Sequence, residues 1–528
     1  MDSDPPKHWG VPDVLLDCCV LRIVVENKNY NIDFTEDAFE AGSRLSAQII
    51  SIKAWVRKNL GTPLLFVFLF LTSIVLALIF SHFGPAVGLA AVSLLFGIPM
   101  VLYSMLDLRF GVLTVFSFSF FLQGLNKSAG GLPLGVILDV FLLVMLVGLI
   151  LTKWHNNDLR LAKNPISYAV WAWIAYNCFE LFNPMGSMQA WLFVIRGIAV
   201  LMIFYFIMLE AMNGIAFCQK IINVWIGLSL FAGVYGLFQE FHGLLPFEKE
   251  WVHADEFRFK LIYNWGRYRI FSFFSDPAIY GVLMSFSGLL CVTLLTGPFK
   301  LGYKVFLAFS GFVMLLAMVY AGTRTAFAML PAGFIFYSLL TFQKKTLAFT
   351  AVIMVAGASI IFSDVRSLGP FLTTNSLNRI RSAFSPGDDP SFQVRERSQA
   401  FIKPFIQSHP IGAGLGSVGI WGTRFNPGSP LAEFAPDSGY VRVAVELGWI
   451  GLIIYCMLFM AILITGIRNY YRMHDPRLKA YMAAILSVVF SLVIGNYPQQ
   501  VLIQVPTILI FYAIMAMVVR LRELDKAI

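Results

Sequence analysis

Seven basic side chains, Arg366, Arg379, Arg381, Arg395, Arg397, Lys403 and Arg424, fall within one polar stretch, residues 364–436. The rest of the chain is built largely from long apolar runs. The stretch leads into Asp437-Ser438, then nine residues, then Gly448-Trp449-Ile450-Gly451 at the head of the next apolar run. A basic loop of this size against a membrane body implies chemistry on an anionic, lipid-borne substrate rather than a bare pore. Arginine forks match phosphate oxygens two at a time and stay charged at any working pH.

Arg324 stands alone in Ala321-Gly322-Thr323-Arg324-Thr325-Ala326, and Arg397 lies in Val394-Arg395-Glu396-Arg397-Ser398. These two are the first candidates for holding a diphosphate, with Arg269 and Arg395 secondary. Lys249, Lys260, Arg366 and Arg424 read as solvated or snorkelling loop charges.

Among the acids, Asp437 and Glu446 are nine residues apart. On one helix that is about 2.5 turns, some 13 Å along the axis and on roughly opposite faces. They do not form the paired carboxylates of a glycosidase. Asp437 is read either as a lone base that accepts a hydroxyl proton or as a helix N-cap, since Pro436-Asp437-Ser438 is a helix-start signature. Arg442, four residues before Glu446, is its expected ion-pair partner. Arg196 is expected in a buried pair with Glu180 or Glu240. There is no Walker loop, no His-rich metal spacing and no serine-nucleophile elbow. Gly412-Ala413-Gly414-Leu415-Gly416 lacks the strand–helix setting of a dinucleotide fingerprint. No cofactor, metal or nucleic-acid partner is expected.

The elements that must position these residues are membrane helices. The chain is 58% hydrophobic and 13% charged, against roughly 25% charged in soluble domains. Its recurrent runs of about 18 or more apolar residues define an all-α integral membrane protein. Spans are expected near 63–83, 86–106, 109–124, 132–152, 166–183, 188–209, 221–242, 275–296, 303–321, 325–342, 346–363, 437–465, 480–496 and 501–519, about 14 in all. The large loop 364–436 then lies between spans 11 and 12. Lys and Arg of the net +9 chain crowd the short connections on one side, as at Lys153, Arg160 and Lys163 or Arg468, Arg472 and Arg477. The connections 183–187 and 496–500 on the other side are uncharged. The positive-inside rule places both termini in the cytoplasm and loop 364–436 outside.

Residues 1–62 read as a cytoplasmic N-terminal segment with an interfacial amphipathic helix over 37–60. Residues 63–528 form the polytopic domain. The six cysteines lie on the reducing side or on separate helices and read as small packing residues. Residues 391–408 read as one or two amphipathic helices lying over the membrane body.

Several pieces, in order, resemble the O-antigen ligase and Wzy-polymerase superfamily across about residues 265–465. Arg269-Ile-Phe-Ser-Phe-Phe-Ser-Asp276-Pro277 looks like its Arg…Gly-x-Phe-x-Asp-Pro-Asn segment, with Ala278 at the Asn position. Gly322-Thr323-Arg324-Thr325-Ala326 is similar to Thr-x-Ser-Arg-Gly. Arg397, followed by His409-Pro410-Ile411-Gly412-Ala413-Gly414, is similar to the loop Arg and Pro-x-Gly-x-Gly. Asp437-Ser438 and Gly448-Trp449-Ile450-Gly451 keep the spacing of the ligase signature, with Asp where that signature has His.

The resemblance implies a GT-C-like, metal-independent glycosyltransferase of the bacterial inner membrane. Its donor would be an undecaprenyl-diphosphate-linked glycan and its acceptor a glycan or lipid-linked glycan. Arg324, Arg397 and Asp437 would act in catalysis, and Arg269, Arg395, Ser438 and Asp276 in substrate binding. The Asp for His exchange favours a polymerase of exopolysaccharide, capsule or O-antigen over a ligase onto lipid A–core. A transporter or flippase for lipid-linked glycans is the rival class, and a scaffold of a synthesis complex a third. A chain-length regulator and export proteins are further expected partners.

Overall fold

The computed structural model describes residues 97–128, 134–156, 163–264, 266–344 and 390–528, with short pieces between 71 and 95 and between 346 and 359. Residues 1–62 and 364–389, with Arg366, Arg379 and Arg381, lie outside the described residues, as do most of the expected spans 63–83 and 346–363.

The described chain is helical, apart from one two-stranded ribbon. In order come α1 (Ile98–Leu106), α2 (Leu108–Ser128), α3 (Leu134–Asn156), α4 (Pro165–Phe179), α5 (Met188–Ala211) and α6 (Ile215–His242). Two short helices follow, α7 (Pro246–His253) and α8 (Glu256–Ile262). The ribbon of β1 (Tyr263–Asn264) and β2 (Arg267–Tyr268) completes this outer segment. Then come α9 (Pro277–Leu295), α10 (Leu301–Ala321) and α11 (Arg324–Thr341), and, beyond the undescribed part of the loop, α12 (Pro390–Ser408), α13 (Gly419–Phe425), α14 (Gly439–Glu446), α15 (Gly448–Arg472), α16 (Pro476–Gly495) and α17 (Thr507–Lys526).

Nine helices among the described residues are long and apolar enough to cross a membrane: α2, α3, α5, α6, α9, α10, α11, α15 and α16. The chain is therefore a multi-pass, all-α membrane protein. α9 is buried along almost its whole length and packs against α6, α10, α11 and α16. Small residues allow these approaches. A Cβ on Gly281 would sit 2.6 Å from Thr323 Oγ1, and one on Gly288 2.7 Å from Leu315. Close approach at small residues is how helices associate without a hydrophobic drive between them.

Polar latches fix the two ends of the bundle. At one end Arg109 Nε donates to Ala211 O (3.2 Å), Arg520 Nε donates to Met212 O (3.0 Å), and Asp525 accepts from the backbone N–H of Asp475 (2.8 Å). At the opposite end Gln123 accepts from Ser275 N (2.7 Å) and donates to Val505 O (3.1 Å). The outer segment α7–β2 has its own core of Leu244, Val252, Ile262 and Phe271. It is pinned by Gln239, which accepts from Ser272 N at 2.7 Å, and by Lys127, whose Nζ lies 4.1 Å from the Phe271 ring and 4.6 Å from Trp251.

The expected single span 437–465 is two helices. α14 ends at Glu446, and Gly448, at φ +68°, turns the chain into α15. A glycine in the left-handed region just past a helix is a common stop, and the apolar residues on either side of it, Val443 to Val445 before and Trp449-Ile450 after, hide it. The break exposes carbonyls that the glycine loop satisfies. Ala413 N donates to Val445 O and Gly414 N to Glu446 O, both at 2.9 Å, and Tyr176 OH takes Leu447 O at 2.8 Å. Gly412, Gly414 and Gly416 hold φ of +72°, +90° and +78°. A Cβ at Gly448 would collide with Pro410 O.

Gly448→Ala is accordingly expected to combine left-handed backbone strain with a clash, each costing about 1–3 kcal/mol. The melting temperature of the detergent-solubilised protein should fall clearly. Gly428→Ala, which meets nothing within 4 Å, should leave it unchanged. An unshifted Gly448→Ala melt would refute the account of the break.

Candidate functional site

Asp437 precedes α14, which is short because it is bounded by Pro436 and Gly448. The N-cap is Ser438, whose Oγ accepts from Val441 N at 3.4 Å. This corrects the capping alternative for Asp437. Ser438 is buried, whereas Asp437 is exposed. Gln500 donates to Pro436 O, holding the approach to the carboxylate. Asp437 lines a small crevice with Ser398 and Gln399 of α12 and with Phe434, Ser438 and Val441. α12 forms over the expected amphipathic stretch, and its apolar face joins a cluster of Ile402, Ala413, Val418, Leu431 and Val445. Arg395 and Arg397 both sit on α12, three residues and one residue before Ser398, and the Arg397 side chain is exposed.

Arg324 is the first residue of α11 and is half-buried. The joint before it is held by Arg269, whose Nε donates to Ala321 O (3.0 Å) and whose Nη2 reaches Gly322 O and Thr323 Oγ1 (both 3.3 Å). Thr323 Oγ1 in turn donates to Pro277 O (2.8 Å). Asp276 caps α9, accepting from Ala278 N (2.8 Å) and Ile279 N (3.0 Å). The two motif residues Arg269 and Asp276 thus build the seat on which Arg324 stands.

The end of α16 links the Arg324 and Asp437 clusters. Ser491 Oγ donates to Met329 O of α11 (3.1 Å), and Gly439 N of α14 donates to Asn496 O (3.0 Å). Both clusters therefore lie at the same end of the bundle.

Beside α14 a cavity of about 260 Å³ descends between α5, α15 and α17. Arg442 and Glu446 form the expected pair on its wall, Nε to Oε1 3.2 Å, and Arg442 Nη1 also donates to Gln500 Oε1 (3.1 Å). Arg196 joins the wall from a π-helical segment of α5, Arg196–Val200. Its partner is Asp139 of α3 at 3.1 Å, neither Glu180 nor Glu240. Glu240 pairs with Arg267, and Glu180 accepts from Asn183 Nδ2 at 2.9 Å. The sequence does not single out Asn496 as a residue of the cavity wall. The one available signal was the presence of ionisable residues inside expected spans, which normally face a partner or a cavity.

Residues 309–456 match the family model described as O-antigen ligase. The match runs from α10 into α15 and takes in Arg324, Arg395, Arg397, the glycine loop, Asp437 and the α14–α15 break. It supports the O-antigen ligase and Wzy superfamily resemblance and implies a glycosyl-transferring membrane enzyme of glycan biosynthesis. No curated protein matches the chain.

Proposed function

We propose that this protein polymerises or transfers an undecaprenyl-diphosphate-linked oligosaccharide at the outer face of the bacterial inner membrane, in exopolysaccharide, capsule or O-antigen synthesis. The observation that carries this reading is an exposed carboxylate, Asp437, facing an arginine-bearing helix at ligase-type spacing, at the same bundle end as Arg324. An acceptor hydroxyl oxygen would attack the anomeric carbon. The bond from that carbon to the diphosphate oxygen would break, and the hydroxyl proton would pass to Asp437. The diphosphate would leave with the bonding pair. Arg324 and Arg397 would meet the charge that develops on it, which is where preplaced donors accelerate a reaction. Arg269 and Asp276 would act through the position of Arg324, and Ser438 through that of Asp437. Arg395, on the same helix as Arg397, is a further diphosphate contact in this reading. The arginines supply the electrostatic stabilisation, so the mechanism requires no metal.

Asp in place of the ligase His favours a polymerase over transfer onto lipid A–core. The ion pairs around the α5–α14 cavity give the flippase alternative its best support. Glycan length in a deletion strain separates these readings. A lost polymerase leaves exported single units, a lost ligase leaves full-length glycan on its carrier, and a lost flippase leaves single units on the cytoplasmic face.

This reading needs loop 364–436 outside and both termini in the cytoplasm, with residues 1–62 as an interfacial anchor ahead of the polytopic domain 63–528. A cysteine placed at Ser385 should react with a membrane-impermeant thiol reagent on intact cells, while one at Ser3 should be protected. The reverse pattern would overturn the topology and the proposed chemistry with it.

A further inference from the structure

The cavity beside α14 does not contain the groups assigned above to the leaving diphosphate. We propose that it is the subsite for the terminal pyranose of the acceptor glycan, an inference that rests on the transfer reaction just described.

Its size, about 260 Å³, is below the roughly 300–1,000 Å³ of sites that take drug-sized ligands. One ring-sized group fits within it. Its ionised groups come as closed pairs, Arg442 with Glu446 and Arg196 with Asp139. A site neutral in sum favours a neutral polar ligand over an anion, because burying an uncompensated charge is costly. A sugar has an apolar C–H face and hydroxyls that both donate and accept. The walls offer both counterparts.

Phe193, Trp421 and Tyr455 present rings. Asn496 also lines the cavity, and its buried Oδ1 has no hydrogen-bond partner among the described residues. Arg442 uses Nε and Nη1, and among the described residues Nη2 has no partner, so a donor remains. The α5 helix unwinds to π geometry where Arg196 joins the wall, a local irregularity often found at functional sites. The location also suits an acceptor. Gly439 lines the cavity and lies two residues beyond Asp437, which puts the cavity beside the short segment that carries the carboxylate.

The test uses the full-length protein in nanodiscs, titrated with the methyl pyranosides of glucose, galactose, mannose, rhamnose and N-acetylglucosamine. Intrinsic tryptophan fluorescence is the readout. Sorbitol serves as the non-ring control and dodecyl phosphate as the anionic amphiphile. At least one pyranoside should give a saturable change that sorbitol does not, weakened tenfold or more in both Asn496→Ala and Trp421→Ala. Thermal melts of both variants should confirm that they remain folded. No response to any pyranoside overturns the proposal, as does a response unchanged in folded variants. Displacement of the sugar by dodecyl phosphate also overturns it, in favour of a phosphate site. Saturable sugar binding combined with normal transfer by Asp437→Asn would leave the subsite standing and sink the catalytic reading alone.

Discussion

Asp437→Asn is expected to cut glycan transfer by roughly 10²–10⁴, the usual range for a lost general base, with little change in stability. The geometry makes this substitution clean. Asp437 is exposed, and the cap of α14 is the neighbouring Ser438, so losing the negative charge at residue 437 does not remove the cap. Asn keeps the shape and the hydrogen-bonding carbonyl but loses nearly all basicity. Ser438→Ala is the complementary control. It removes the cap and is expected to cost about 1 kcal/mol of stability with a smaller effect on the rate. Asp437→His places the ligase-type residue at unchanged spacing and should retain part of the activity, since imidazole also accepts a proton near neutral pH. The measurement is turnover of a lipid-diphosphate-linked oligosaccharide by purified protein. A wild-type rate for Asp437→Asn would end the catalytic reading.

The parts of the site that were legible in the sequence are those specified by local chemistry. Asp437, Gly448 and the glycines at 412, 414 and 416 stand at fixed spacing, and each glycine meets a backbone demand that other residues meet poorly, φ between +68° and +90°. What the spacing does not reveal is that these two motifs are one device. Gly412 and Gly448 touch across the break, and the loop between them takes the carbonyls that α14 leaves open. The break itself was illegible because Val443, Ala444, Val445 and Leu447 precede Gly448 and an apolar run follows it, so hydropathy continues where the helix stops.

Partners across the bundle were harder to read. Arg442 and Glu446 share a helix face, and their pairing follows from spacing alone. Arg196 meets Asp139 only because α5 packs against α3, a relation no local pattern encodes. Arg269 shows the same limit from the other direction. An arginine ahead of an Asp-Pro motif suggested a phosphate ligand, yet its fork is occupied by carbonyls at the end of α10. A helix C-terminus carries partial negative charge, and it competes for a guanidinium as an anionic substrate does. Sequence cannot tell which of the two is nearer.

That arrangement sharpens what should happen at Arg324. Arg324→Ala is expected to lower transfer by roughly 10²–10³, the range seen when one preorganised donor to a developing oxyanion is removed. Arg324 begins an 18-residue helix, so its guanidinium adds to the positive end of the α11 dipole, a natural place for phosphate oxygens. Arg324→Lys should recover only part of the rate, because an ammonium keeps the charge but not the two-pronged fork. Arg269→Ala should behave differently. It releases the carbonyls of Ala321 and Gly322 and the Thr323 hydroxyl, so it should lower thermal stability together with activity. Arg324→Ala should leave the melt near wild type. Polysaccharide length in a deletion strain carrying each variant, at matched membrane expression, gives the readout. Full-length polymer from Arg324→Ala would count decisively against a diphosphate role for this residue. A melt as low as that of Arg269→Ala would show instead that Arg324 serves the joint rather than the substrate.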